Sequence, residues 1–417
     1  MTRRHAGEIV RSARRAKGLT LADLGRLTGY SASQVSRLER GIVPLTDTVV
    51  LRSFAAALGL SPTAFGLLPD SNVTQCYNAD TVSGDSQDDE GTEMRRRTLL
   101  AAGLSIPLAA LQRVDDALAV PPRTDSAEPA QVAARLRAAQ RQFDRSELAD
   151  LVDALPGLLA SATAVAERVD TPAGWGLVAG SYRLATDTLN KVGNKPTARL
   201  TADRAVLYAA RSEDPVAKAA SARALGMMLR IEGRPTLAAE VMTRGVDQLA
   251  STGLHTTAQA SMLMRLLCAR AYTYAWAGDR ERALEGIVEA EHAAGRVPAM
   301  KPASLPFARL YHSNIYYALG DDGKALHVAR DLHVGMYPTP ERRGRYYTDL
   351  ARSSWRVGKP EQTATALLEA IQHAPAEVRD RPSIRQIAAE LVERHPRVAG
   401  VREVSKAISQ PRKRVPV

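Results

Sequence analysis

With 417 residues the chain is too long for one ordinary domain and long enough to bury a sizeable core, so at least two units are expected. Its 56 Lys and Arg against 45 Asp and Glu give a formal charge of +11, which favours an anionic partner such as nucleic acid over an acidic one. Cys76 and Cys268 stand far apart without Cys or His neighbours at metal-ligand spacing, so neither a disulfide framework nor a zinc site is expected, and no unbroken run of 18 apolar residues marks a membrane span or signal core. A cytoplasmic protein with no membrane association fits these features.

In chain order, a first helix over about Gly7 to Lys17 carries Ile9, Ala13 and Ala16 on one face and Arg11, Arg14 and Arg15 on the other, and Gly18 closes it. Thr20 caps a second helix over Leu21 to Leu27, with Asp23 at the capping-box position and Leu24 and Leu27 turned inward. Gly29 makes the turn into a third helix, capped by Ser31 with Gln34 in a Ser-x-x-Gln box and ended by Gly41. Its periodicity buries Val35 and Leu38 and points Ala32, Ser33, Ser36 and Arg37 away. A fourth helix over about Asp47 to Leu58 and a fifth opened by Ser61-Pro62 complete a five-helix bundle.

The run from Gly18-Leu19-Thr20 through Leu24 to Gly29-Tyr30-Ser31-Ala32-Ser33-Gln34-Val35-Ser36-Arg37-Leu38-Glu39-Arg40-Gly41 resembles the Cro/CI-type (Xre) helix-turn-helix family, and the resemblance extends over residues 6 to 67. It implies that the third helix enters the major groove of double-stranded DNA. Ala32, Ser33 and Arg37 then face base edges, while Gln34, Ser36 and Arg40, together with Arg14 and Arg15, reach the backbone. Only Arg37 has a strong code, a bidentate bond to guanine; its alternative is a solvated side chain paired with a nearby acid. Glu39 reads as structural, pairing with a first-helix arginine or with backbone. Two departures from the family stand out: Leu21 replaces a phosphate-touching Gln, and Gly25 replaces a small Ala packed between helices.

Residues 71 to 94 hold six acids and no base in a Ser/Gly/Asn/Thr-rich setting, the composition of a flexible linker. The expected division is therefore a DNA-binding domain over 1–70, an acidic linker over 71–97, a helical sensing and dimerisation domain over 98–409, and a basic tail over 410–417. Arg95-Arg96-Arg97 before an apolar stretch ending near Leu111 looks like a twin-arginine export signal, but so far inside the chain it reads instead as an apolar helix packing on the second domain.

Beyond Thr98 the fold class is all-α, with no alternating β pattern. Gly193, Gly233, Gly278, Gly320 and Gly358 recur at intervals of 40, 45, 42 and 38 residues, each ending a helical pattern. Small residues follow at fixed offsets, as in Ala198, Ala238, Ala283 and Ala325, where they let antiparallel helices approach closely. This resembles the tetratricopeptide repeat with lengthened periods, and implies an α-solenoid whose first helices form a concave wall. Positions six before each glycine should face that groove: Asp187, Met227, Tyr272, Asn314 and Arg352. Positions three before add Asn190, Arg230, Ala275, Tyr317 and Trp355, and positions ten before add Arg183, Arg223, Cys268, Leu310 and Thr348. Such a strip suits an extended peptide or protein partner; a solvated groove with locally paired arginines is the alternative.

No phosphate loop, metal-binding His pair or nucleophile elbow appears, so neither an enzyme nor a cofactor is expected. The combination resembles peptide-sensing regulators of Gram-positive bacteria and orphan regulators of high-GC actinobacteria, and implies a DNA-binding homodimer associated with the nucleoid. A DNA-binding scaffold that recruits a replication or plasmid partner through its repeats is the alternative.

Overall fold

The computed structural model describes residues 6–28, 30–40, 45, 48–60, 62–65, 106–122, 127–295 and 301–409. Every regular element among them is helical. The chain divides into two compact units, residues 1–85 and 86–417. The expected linker, twin-arginine segment and basic tail, with Gly29, Gly41 and Cys76, lie outside the described residues.

The N-terminal unit comprises α1 (Ala6–Ala16), α2 (Leu21–Thr28), α3 (Ala32–Glu39) and α4 (Thr48–Leu58). A single 3-10 turn, Pro62–Phe65, stands where a fifth helix was expected. Val10, Leu24, Val35 and Phe54 are fully buried at its centre. Two expectations about the inward faces fail. The inward stripe of α1 runs through Gly7, Val10 and Arg14 rather than Ile9, Ala13 and Ala16, because a buried acid on α3 draws Arg14 in. Leu27 is 59% exposed, so α2 packs through the buried Leu24 and Gly25, with the half-buried Leu21 beside them.

The second unit opens with α5 (Leu108–Ala119), which buries Ala110, Val114 and Leu118 at helical spacing, then α6 (Pro129–Asp144) and α7 (Leu148–Val169). By length and composition α7 could cross a membrane. Here its Leu151, Val152 and Leu155 are fully buried in the protein core.

Five helix pairs follow. Their first members are α8 (Pro172–Lys191), α10 (Pro215–Ile231), α12 (Thr257–Trp276), α14 (Lys301–Ala318) and α16 (Pro340–Arg356). Their second members are α9 (Lys195–Ser212), α11 (Pro235–Ala250), α13 (Arg280–Gly295), the short α15 (Asp322–Ala329) and α17 (Pro360–His373). Each pair packs face to face, and successive first helices lie side by side.

Local chemistry sets these boundaries. The side chains of Thr171, Asp214, Thr256 and Thr339 accept hydrogen bonds from the exposed N–H groups at the starts of four first helices. All five recurring glycines have φ between +71° and +87°, the left-handed conformation that ends a helix. The residue after each glycine donates five positions back, as Asn194 does to the Leu189 carbonyl and Asp279 to that of Tyr274. Ala198, Ala238, Ala283, Ala325 and Thr363 are fully buried where the paired helices meet.

After α17 come α18 (Pro375–Arg379), α19 (Pro382–Arg394) and α20 (Val401–Ser409). They do not merely cap an open end, since Ala376 joins the core built by α5 to α9 and α16 packs against α6. The last elements return to the first.

Candidate functional site

On α3, the reciprocal cap fixes the start of the helix: Gln34 N–H donates to Ser31 Oγ at 3.2 Å, and Ser31 N–H donates to Gln34 Oε1 at 2.8 Å. Val35, Leu38 and Glu39 are buried beneath, which leaves Ala32, Ser33, Gln34, Arg37 and Arg40 exposed along one surface and Ser36 half-buried. Arg40 donates through Nε to the Ser36 carbonyl at 3.2 Å. The helix before it is held by Thr20 and Asp23, which bond each other's backbone N–H, and Arg26 adds an ion pair. Hydrogen bonds from Thr20, then Arg26, lower the Asp23 carboxyl to about 2.

Arg14 does not belong to this surface. Its Nε and Nη2 grip Glu39 at 2.5 and 2.9 Å, and Nη1 donates to the Leu19 carbonyl at 2.8 Å. Both partners are buried, so the backbone role expected of Arg14 is corrected to an internal brace joining α1 to α3, whereas Arg15 is exposed. Glu39 takes the structural place expected of it.

Gly25 carries more than a packing preference. A Cβ there would lie 2.3 Å from the Tyr30 carbonyl oxygen, and Tyr30 N–H donates back to the Gly25 carbonyl at 2.9 Å. The turn between α2 and α3 folds onto this glycine so closely that even an alanine would collide.

In the second unit the first helices surround a cavity of about 620 Å³. All five residues six positions before the recurring glycines, Asp187, Met227, Tyr272, Asn314 and Arg352, line it. So do Asn190, Arg223, Arg230, Leu310 and Tyr317. Five expected residues do not: Ala275, Cys268 and Thr348 are buried where the helices pack, and Arg183 and Trp355 are claimed by other partners. Arg183 turns aside to bond Asp187 at 2.7 Å and Gln140 at 2.9 Å. Trp355, half-buried, packs against the core of the last helices, edge-on to His395. The α18–α20 segment covers that flank and turns the Trp355 position from wall into core.

Asn314 is not free to read a peptide backbone. It is buried, donates to Asp349 at 2.8 Å and accepts from Arg352 at 2.8 Å, which makes it a bridge inside the wall.

Several lining residues escape the glycine register. Arg342, Arg345 and Asp349 come from α16, Tyr311 from α14, and Arg381 and Pro382 from the segment that folds back. Only the fold brings that segment here. The signal in α16 was visible in the dense Arg342-Arg343-Gly344-Arg345 run.

The fold-back is fixed by a buried polar clasp. Lys191 Nζ donates to Glu341 at 2.5 Å and also pairs with Glu377. Glu377, with no exposed surface, accepts further from Ser146 and from Arg381, each at 2.9 Å. Burial alone would raise the Glu341 carboxyl, but Lys191 and Arg342 beside it hold it well below the ordinary range. Burial works against Asp349 in the same way, and Arg345 and Arg352 outweigh it.

Among the described residues no cluster of His, Cys, Asp or Glu could hold a metal ion. Cys268 is free and buried, and burial pushes its thiol above its ordinary value.

No curated protein matches the chain in sequence. Among solved structures it is similar to BtubC from P. vanneervenii, with 16% identity and TM-score 0.36 over 69% of this chain and 97% of that one. It is also similar to PlcR of Bacillus thuringiensis, solved with the peptide PapR7 and DNA, with 12% identity and TM-score 0.33 over 85% and 98%. Residues 5–67 match a family described as a helix-turn-helix domain, so the chain carries that domain at its N-terminus.

Proposed function

We propose that the protein is a sequence-specific DNA-binding transcription regulator of the Cro/CI type, whose tetratricopeptide-like array over about residues 98–409 pairs two copies and takes a ligand in its inner cavity. The observation that carries the reading is the exposed edge of α3, with Ala32, Ser33 and Arg37 presented on a helix braced by its cap and by the Arg14–Glu39 pair. A short helix with a fixed start and a rigid underside suits major-groove insertion. Gln34, Ser36 and Arg40 border that edge and, with the exposed Arg15 of α1, serve the phosphate backbone. Nothing in the reading calls for catalysis, and a cytoplasmic place beside the nucleoid follows from it. Dimerisation through the array would set two such heads on half-sites about one helical turn, or a multiple of it, apart.

The test is selection of bound DNA fragments by the purified full-length protein, followed by Arg37→Ala. The variant should lose about 1–3 kcal/mol at the selected site and relax preference at one base pair. An equal loss on selected and random duplexes would remove Arg37 from base reading.

A further inference from the structure

We infer that the inner cavity binds a small organic ligand bearing at least two negative charges, phosphoryl or carboxylate, on an aromatic or apolar body. This deepens the proposed function by naming the ligand class, and it rests on that reading only for the consequence on DNA binding.

The lining carries eight Lys and Arg against three Asp and Glu. Glu377 adds a fourth acid behind the wall, where it neutralises Lys191 and Arg381. The three lining acids are already shared: Glu341 serves both Lys191 and Arg342, Asp187 both Arg183 and Arg223, and Asp349 both Arg345 and Arg352. Cation is left over, and it is left over inside.

Arg230 shows this most clearly. No carboxylate lies within 4.0 Å of it among the described residues, its Nε is buried without a hydrogen-bond partner, and its guanidinium rests over the Tyr272 ring at 4.6 Å. Burial, with Arg345 and Arg352 acting in the same sense, lowers its affinity for the proton. Arg265 and Arg342 stack on the Phe307 ring at 5.0 and 4.8 Å from its centroid, and Arg265 likewise has no acid partner. Arg265 is exposed and stands outside the cavity lining, so it contributes only to the positive field beside Phe307. Like charges held together with buried donors unfilled destabilise the empty protein, and an anion at this place would relieve them all.

The rest of the wall fits the body of such a ligand. Tyr272, Tyr311 and Phe307 line the cavity together, and Trp276 lines it while remaining 52% exposed. The volume lies in the range of small-molecule sites, about 300–1,000 Å³, which is far too small for duplex DNA or a folded partner. The guanidinium fork matches carboxylate and phosphate alike. A nucleoside diphosphate and a short acidic peptide are therefore the two sources to separate.

The experiment uses the full chain and three probes: inorganic pyrophosphate, ADP, and a tetrapeptide with two aspartates and a C-terminal aromatic residue. Each is titrated against NaCl at matched ionic strength, by calorimetry and by thermal melting. At least one probe should bind saturably and raise the melting midpoint of the array beyond the salt control. Arg230→Met should weaken that binding roughly tenfold to a hundredfold, while raising the midpoint of the empty protein by a few degrees because an unpaired charge is gone. Arg37→Ala, in the other unit, should leave probe binding unchanged. Binding of ADP alone assigns the phosphoryl source, and binding of the peptide alone assigns the carboxylate source. No stabilisation by any probe, or unchanged binding in Arg230→Met, would overturn the inference. If a probe binds as expected yet leaves the affinity for the selected DNA fragment unchanged, the anion site stands and the sensing half of the proposed function falls.

Discussion

The two units close their helical frames by the same device and then use their remaining arginines in opposite ways. In the N-terminal unit, Glu39 on α3 pulls Arg14 of α1 into the core across 25 residues of sequence. In the array, Glu377 does the same to Lys191 across 186. Beyond these braces, the N-terminal unit leaves Arg15, Arg37 and Arg40 exposed, whereas the array holds Arg230 and Arg352 within a cavity wall. Exposed charge suits a partner larger than the domain that carries it. Enclosed charge suits a ligand small enough to be surrounded. Arginine content alone does not distinguish these uses; which arginines are already paired does.

The largest effects should come from breaking the braces. Arg14→Ala strands a buried Glu39, and Glu377→Ala strands Arg381 and leaves Lys191 with Glu341 alone; each should cost about 3–5 kcal/mol in its own unit. Denaturant melts of the full chain should show only the N-terminal transition moved by the first variant and only the array transition moved by the second. Arg14→Ala should also depress DNA binding, but in proportion to the fraction unfolded. Arg37→Ala should depress it without moving either transition. If Arg14→Ala leaves stability within about 1 kcal/mol while weakening DNA binding on every sequence, the brace is secondary and the side chain is a phosphate contact after all.

A smaller effect isolates the turn. Gly25→Ala improves helix propensity by up to about 1 kcal/mol, yet its Cβ would sit 2.3 Å from a backbone oxygen that no rotamer change can move. Collision should outweigh propensity, with a net loss of about 1–3 kcal/mol in the N-terminal transition. A gain in stability would mean that Tyr30 yields easily and that the close approach is incidental.

Much of this was legible in the sequence because it is local. The caps at Thr20 and Ser31 and the glycine punctuation of the array are set by residues within one turn of each other, and the same glycines supplied the phase that placed Asp187, Tyr272 and Arg352 on the cavity wall. What escaped depends on distant partners. An amphipathic pattern assigns every arginine to the wet face, so Arg14 was misplaced until Glu39 was beside it. Trp355 and Arg183 hold valid groove positions by spacing, but His395 and Gln140 claim them from elsewhere in the fold. The fold-back of α18 and α19, and with it Arg381 in the wall, leaves no periodic trace, since it rests on a few buried contacts between remote segments.

The smallest effect is a difference in acid response. Glu341 and Asp349 in the array, and Asp23 in the N-terminal unit, have folded carboxyls held below their ordinary values. A carboxylate depressed on folding contributes stability that is complete above its unfolded pKa, about 4, and is lost as pH falls through the folded value. Both transitions should therefore hold steady from pH 7 to about pH 5 as far as these groups are concerned, and decline below it. The array should decline more, because its acids are buried among cations that cannot be resolvated without opening the wall. Asp23 is only half-buried and open to solvent, so its contribution is screened and its loss, spread between about pH 4 and about 2, should be shallow. Glu341→Gln should flatten the array's acid response and leave the other unit's slope untouched, while Asp23→Asn should do the converse with a change near the limit of detection. Equal slopes for the two transitions would show that the array's acids reach solvent more freely than their burial implies, and would weaken the distinction between enclosed and exposed charge.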